Sequence, residues 1–123
     1  MDFVERMQAK AKELSRNLVL PEGLEPRTLK AAATLLGEGM VASLTLIGAP
    51  DKVQAAAKNE GADISAATLV DPASSEKLET YATEYYELRK HKGMDMESAK
   101  AEIVDPLKWG AMMVRLGDAD AMV

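Results

Sequence analysis

The sequence predicts an α/β fold: a parallel sheet with helices on both faces, three layers deep (α/β/α). Three observations predict it. The short apolar runs Leu18-Val19-Leu20, Leu44-Thr45-Leu46-Ile47 and Thr68-Leu69-Val70 have the length and residue types of buried strands. Each is followed by a segment whose apolar residues recur at three- and four-residue steps, as in an amphipathic helix. Turns rich in Gly and Pro separate the two kinds of segment. Strands alternating with helices pair in parallel through right-handed crossovers, and ligands of such sheets sit beyond the carboxyl ends of the strands.

The elements follow in order. Phe3, Val4, Met7, Ala11 and Leu14 mark one stripe of a first helix, with Asp2 placed to cap it. Strand Leu18–Leu20 is broken by Pro21-Glu22-Gly23. Pro26 fits the first turn of the next helix, where its missing N–H costs nothing. Leu29, Ala32, Ala33 and Leu36 form the inward side of that helix, and Gly37 and Gly39 end it. Strand Leu44–Ile47 closes at Gly48. A short helix runs from Ala49 to Asn59, and strand Thr68–Val70 stops at Asp71-Pro72. A long helix is expected from about Glu76 to Lys92, with Leu78, Tyr81, Ala82, Tyr85 and Leu88 inward. Two shorter helices should follow. One spans about Asp95 to Val104. The other lies beyond Asp105-Pro106, with Leu107, Ala111, Val114 and Leu116 inward and Met112-Met113 as core filler. Gly117 caps it, and Ala119–Val123 opens a fourth strand.

Composition bounds the function. The 123 residues suffice for one ordinary domain, and 47% hydrophobic residues can build a core. A formal net charge of −5 speaks against general nucleic-acid binding. No apolar run approaches a membrane span and no signal peptide is evident, so a membrane partner is not expected. There is no cysteine, hence no disulfide, thiolate metal site or thiol nucleophile, which fits a reducing compartment. With a single histidine and no carboxylate cluster at metal-loop spacing, no metal ligands are assigned. No dinucleotide fingerprint, P-loop or nucleophile elbow is present, and no catalytic residue is assigned.

Two places ask for an anion. The run Arg89-Lys90-His91-Lys92 closes the long helix just before Gly93, in an otherwise acidic chain. At about 100° per residue, Arg89 and Lys92 continue the apolar stripe, while Lys90 and His91 point elsewhere. An inward cation needs a partner or a wet cleft; otherwise the charges compensate the helix dipole. The loop Pro21–Arg27 follows the first strand, so its backbone amides are candidates for an anion. Alternatively, Arg27 pairs with Glu22 or Glu25 on the surface.

The blocks Leu20-Pro21-Glu22-Gly23-x-Glu25-x-Arg27-Thr28-Leu29, Leu46-Ile47-Gly48, Tyr86-Glu87-Leu88-Arg89-Lys90-His91-Lys92-Gly93 and Met112-Met113-Val114-x-Leu116-Gly117-x-Ala119-Asp120-x-Met122-Val123 together resemble the phosphate acetyltransferase (phosphotransacetylase) family. The resemblance runs over essentially the whole chain. It implies transfer of an acetyl group between coenzyme A and inorganic phosphate, giving acetyl phosphate. Two α/β/α domains would flank the active site of a cytoplasmic homodimer that consumes no metal or prosthetic group. Arg89 matches an arginine associated with the 3′-phosphate of coenzyme A. Arg27 matches one beside the cleft, and Lys92 stands with Arg89 as a coenzyme A-binding candidate. The family continues beyond the position of Val123 with a Ser-Gly-Ala, a His, an Asp-Thr-Leu-Arg-Pro segment and a second domain. The expectation is therefore that residues 1–123 form an incomplete N-terminal α/β domain of a two-domain enzyme, inactive alone. A non-catalytic coenzyme A- or phosphate-binding module and a butyryl-transferring relative are the alternatives.

Overall fold

The structure, a computed structural model, describes Asp2, Phe3, Glu5, Arg6 and residues 17–123. The expected first helix therefore lies mostly outside the described residues, as do Val4, Met7, Ala11 and Leu14 of its stripe. Its cap is visible: the Glu5 N–H donates to Asp2 Oδ1 at 2.8 Å. The described residues form the strands β1 (Asn17–Leu20), β2 (Ser43–Ile47), β3 (Thr68–Val70) and β4 (Ala121–Met122). The helices are α1 (Pro26–Gly37), α2 (Pro50–Glu60), α3 (Leu78–Arg89), α4 (Met96–Ile103) and α5 (Pro106–Arg115). The strands pair in parallel in the order β3-β2-β1-β4. Chain progression thus reverses between β1 and β4.

Strand alternation splits the core in two. Leu18, Leu20, Leu44 and Leu46 face one side and pack with Leu29, Ala32, Leu35 and Val53 of α1 and α2. Val19 and Ile47 face the other and pack with Tyr81, Tyr85, Ile103, Trp109 and Met112 of α3, α4 and α5. Because both faces are covered, the strands read as continuous apolar runs. Side chains fix the register at the amino ends of the strands. Asn17 donates its backbone N–H and its Nδ2 to Asp120 Oδ2, and Ser43 Oγ donates to Asn17 Oδ1. The Asp120 N–H returns a bond to the Asn17 carbonyl at 2.8 Å.

Local chemistry sets the helix ends. Proline opens α1, α2 and α5. Asp95 and Asp105 cap α4 and α5 by accepting the N–H groups of Ser98 and Lys108. The bonds from Ser98 hold the Asp95 carboxyl below its ordinary range.

Three expectations need correction. On α1 the buried residues are Thr28, Leu29, Ala31, Ala32 and Leu35, while Ala33 and Leu36 are only half-buried. On α5, Leu107 (55% exposed), Ala111 and Leu116 face outward, and Trp109, Gly110, Met112 and Met113 are buried. The periodicity admitted either face, and the bulk of Trp109 settles it toward the sheet. The long helix is also shorter than expected. It starts at Leu78, after a separate 3-10 turn at Pro72–Ser74, and passes at Arg89 into a second at Lys90–Lys92.

Candidate functional site

The carboxyl ends of β1 and β2 open into an apolar groove of about 370 Å³. Its walls are Pro21, Gly23 and Leu24 of the β1–α1 loop, Ile47 and Gly48 after β2, and Asp105, Pro106 and Leu107 at the start of α5. This is where a parallel sheet offers a ligand site. The sequence pointed to the β1–α1 loop but missed the opposite wall, because Leu107 was assigned to the core. The signal available was Asp105-Pro106, which starts a helix at this edge of the sheet.

Three of the loop amides, of Gly23, Glu25 and Arg27, are already engaged. The Gly23 N–H donates to the Ile47 carbonyl at 3.2 Å. The Glu25 carboxylate lies at the amino end of α1 and accepts the Arg27 N–H at 3.3 Å, so that helix end already holds a negative charge. These amides are therefore not offered to a ligand anion in this structure. Arg27 itself is exposed. Its Nε is 3.8 Å from Glu25, and its guanidinium carbon is 6.0 Å from the Phe3 ring centroid. The surface-pair reading holds for Arg27 in this structure.

The basic run lies elsewhere, in the tight turn joining α3 to α4. Arg89 and Lys92 are exposed, not inward. The buried stripe of α3 ends at Tyr85, Leu88 is 36% exposed, and beyond Arg89 the helical angle no longer applies. Residues three apart are neighbours on a helical turn, so Arg89 at the end of α3 and Lys92 still share one side, though it is a solvated one. Lys90 turns to Glu87, with Nζ 2.6 Å from the carboxylate. The Arg89 guanidinium carbon sits 5.6 Å from the Tyr85 ring centroid. At that distance the ring face attracts the cation, and none of the ion pairs among the described residues engages Arg89. Gly93 ends the turn in the left-handed conformation (φ 85°), which a side chain would strain. Neither Arg89, Lys92 nor Arg27 lines the groove.

A second cleft of about 280 Å³ opens beside β2 and β3, where Thr45, Thr68, Lys77, Tyr81 and Asp118 meet Trp109 and Met113. No local pattern marks it, since it joins residues as distant in sequence as Thr45 and Asp118. Tyr81 donates its hydroxyl to Asp118 Oδ2 at 2.5 Å, and Lys77 Nζ lies 3.2 Å from the same oxygen. The three satisfy one another, so they clasp the α5–β4 turn to α3 rather than wait for a ligand. Burial pushes the Tyr81 hydroxyl well above its ordinary 10.0, and the Asp118 hydrogen bond and charge add to this. The bond from Tyr81, then Lys77, holds Asp118 below its ordinary 3.8 against the effect of burial.

The signs give a pH test. Asp118 contributes stability above the unfolded carboxylate value, lost as pH falls through its depressed folded value. Tyr81 contributes below its unfolded value, lost as pH rises through its raised folded one. Tyr81→Phe should therefore cost about 1–2 kcal/mol between roughly pH 5 and 9. The gap to wild type should narrow toward both extremes. Urea denaturation across pH checks this; a gap constant with pH would refute the clasp.

Among the described residues no group of three or more His, Cys, Asp or Glu side chains is arranged to hold a metal. No described helix is long and apolar enough to cross a membrane.

The model of the phosphate acetyl/butaryl transferase family matches residues 2–123. The chain belongs to that family. It is 50% identical over 123 residues to a phosphate acetyltransferase of Thermoanaerobacterium thermosaccharolyticum, covering all of this chain and 37% of that protein. To a phosphate acetyltransferase of Clostridium acetobutylicum it is 42% identical, again over 37% of the relative. The fold agrees with the EutD phosphotransacetylase of Staphylococcus aureus at a TM-score of 0.80 and 29% identity, covering 99% of this chain and 38% of that one. The chain thus spans a little over a third of the relatives it matches.

Proposed function

We propose that this chain is the N-terminal part of a phosphate acetyltransferase. A protein of the relatives' length carrying it would transfer an acetyl group reversibly between acetyl-coenzyme A and inorganic phosphate, giving acetyl phosphate and coenzyme A. The observation that carries this reading is the 50% identity, across the whole chain, to a protein named phosphate acetyltransferase. In the direction that makes acetyl-coenzyme A, the thiolate attacks the acetyl phosphate carbonyl, an S–C bond forms and phosphate leaves. Catalysis then depends on positioning and on donors aimed at the developing oxyanion. No residue among the 123 is assigned to thiolate formation, so the stretch alone is proposed to be inactive. The family's description covers butyryl transfer as well. The acetyl reading is preferred because the relatives carry that name.

In this reading Arg89 binds the 3′-phosphate of coenzyme A with its guanidinium, Lys92 adds a second cation, and Arg27 stands beside the cleft. The enzyme is proposed to be a cytoplasmic homodimer that acts on small molecules, with no metal or prosthetic group. The test is acetyl phosphate formation by a protein of full family length, comparing wild type with Arg89→Ala. A bidentate charge-assisted contact is worth about 1.5–3 kcal/mol. The variant should therefore lose about ten- to hundredfold in KM for coenzyme A. It should lose little for dephospho-coenzyme A. Equal losses would remove the 3′-phosphate role. No wild-type turnover would remove the activity, and turnover by the 123 residues alone would overturn their proposed inactivity.

A further inference from the structure

We propose that Lys92 is a self-acetylation site, where Arg89 receives the phosphate of acetyl phosphate and the Lys92 amine takes the acetyl group. The inference deepens the proposed activity, since acetyl phosphate is a product of that reaction.

The lysines differ in what engages them. Lys30, Lys77, Lys90, Lys100 and Lys108 each face a carboxylate, of Glu60, Asp118, Glu87, Glu79 and Glu102 respectively. Such a partner favours the protonated amine, which cannot attack, and raises Lys90 and Lys108 above their ordinary value. Lys52, Lys58 and Lys92 have no ion pair among the described residues. Of these three, only Lys92 stands three residues from an arginine across a helical turn, the spacing that makes two side chains neighbours. His91 adds a potential cation, and Gly93 leaves the approach open, since nothing lies within 4 Å of where its side chain would begin. An acyl phosphate is anionic at one end and electrophilic at the other. A phosphate on Arg89 therefore presents its carbonyl beside the Lys92 nitrogen.

The step balances without another reagent. The neutral amine attacks the carbonyl carbon, and an N–C bond forms. The C–O bond to phosphate breaks, inorganic phosphate leaves with the electron pair, and the amine proton passes to water. Lys92 becomes a neutral amide. Half of the Arg89–Lys92 cationic pair is then gone, which weakens the surface for any phosphate-bearing ligand. The product of the enzyme would thus lower its own enzyme's affinity for a phosphorylated substrate.

The test exposes this chain to acetyl phosphate and, in parallel, to the N-hydroxysuccinimide ester of acetic acid, which acetylates amines without a phosphate. Peptide mass spectrometry reads occupancy at Lys92, Lys52 and Lys58. With acetyl phosphate, the ratio of Lys92 to Lys58 should exceed the ester's ratio by about fivefold, as an exposed charge contact allows. Arg89→Gln should return it to the ester's value, with the far-UV circular dichroism unchanged. Equal ratios for the two donors, or a ratio indifferent to Arg89→Gln, would overturn the proposal. Because acetyl phosphate is added from outside, the result does not depend on whether a longer protein makes it. Failure of the proposed activity would remove the natural donor and leave this measurement standing.

Discussion

Trp109→Ala is expected to lower folding stability by about 3–5 kcal/mol, the range for deleting a large buried aromatic. Trp109 is 1% exposed and is among the largest fully buried side chains of the chain. It sits in the core between the sheet and helices α3, α4 and α5, with its ring centroid 4.4 Å from that of Tyr81 at an interplanar angle of 44°. Such a tilted pair adds to the burial term. The cavity would also loosen Tyr81, and with it the bond to Asp118 that ties the α5–β4 turn to α3. Trp109 is the only tryptophan, so the measurement is chemical denaturation followed by circular dichroism rather than fluorescence. A loss below about 1 kcal/mol would show that this core closes around the gap and that Trp109 is not its keystone.

The second large effect is expected at Gly23. A Cβ built there would stand 2.5 Å from the Ile47 carbonyl oxygen and 3.3 Å from Val53 Cγ2. The oxygen belongs to the last residue of a central strand and cannot step aside as a side-chain end could. Gly23→Ala must therefore displace the β1–α1 loop and break the bond from the Gly23 N–H to that same oxygen. The expected cost is about 1–3 kcal/mol, the usual range for overpacking. Hydrogen exchange should report faster opening of the loop and of the groove it walls. Gly37→Ala is the matched control. Nothing lies within 4 Å of its Cβ position, and it ends a helix, so its stability should stay within about 0.5 kcal/mol of wild type. Equal effects at the two glycines would mean that close approach is not what Gly23 supplies.

The two glycines show how unevenly the molecule could be read from its residues. The fold class was legible because strand and helix periodicities differ and the turn residues between them are local. Leu18–Leu20, Leu44–Ile47 and Thr68–Val70 are strands, and Pro26, Pro50 and Pro106 open helices. The inward faces of α1 and α5 were legible only in part. On α5, Leu107 and Trp109 are two residues apart and cannot share a helix face, so the choice between them needed the sheet. The candidate site was read least well. Its groove joins Pro21–Glu25 to Asp105–Leu107, segments brought together because α5 runs back along the sheet toward β4. The cations Arg89 and Lys92 were found by composition, but their direction was extrapolated through a helix that stops at Arg89.

By itself the sequence determined a parallel α/β sheet covered on both faces, the position of most helix starts, a basic run before Gly93 and the family. These rest on spacing within a dozen residues or on direct similarity, neither of which requires distant parts to meet. Only the tertiary structure decided the order β3-β2-β1-β4, the two cores, the apolar groove, the Tyr81–Asp118–Lys77 clasp and the solvent-facing side of Arg89. Each depends on which surfaces become shared once chain segments far apart in sequence pack. Burial is a property of that packing and not of any residue alone.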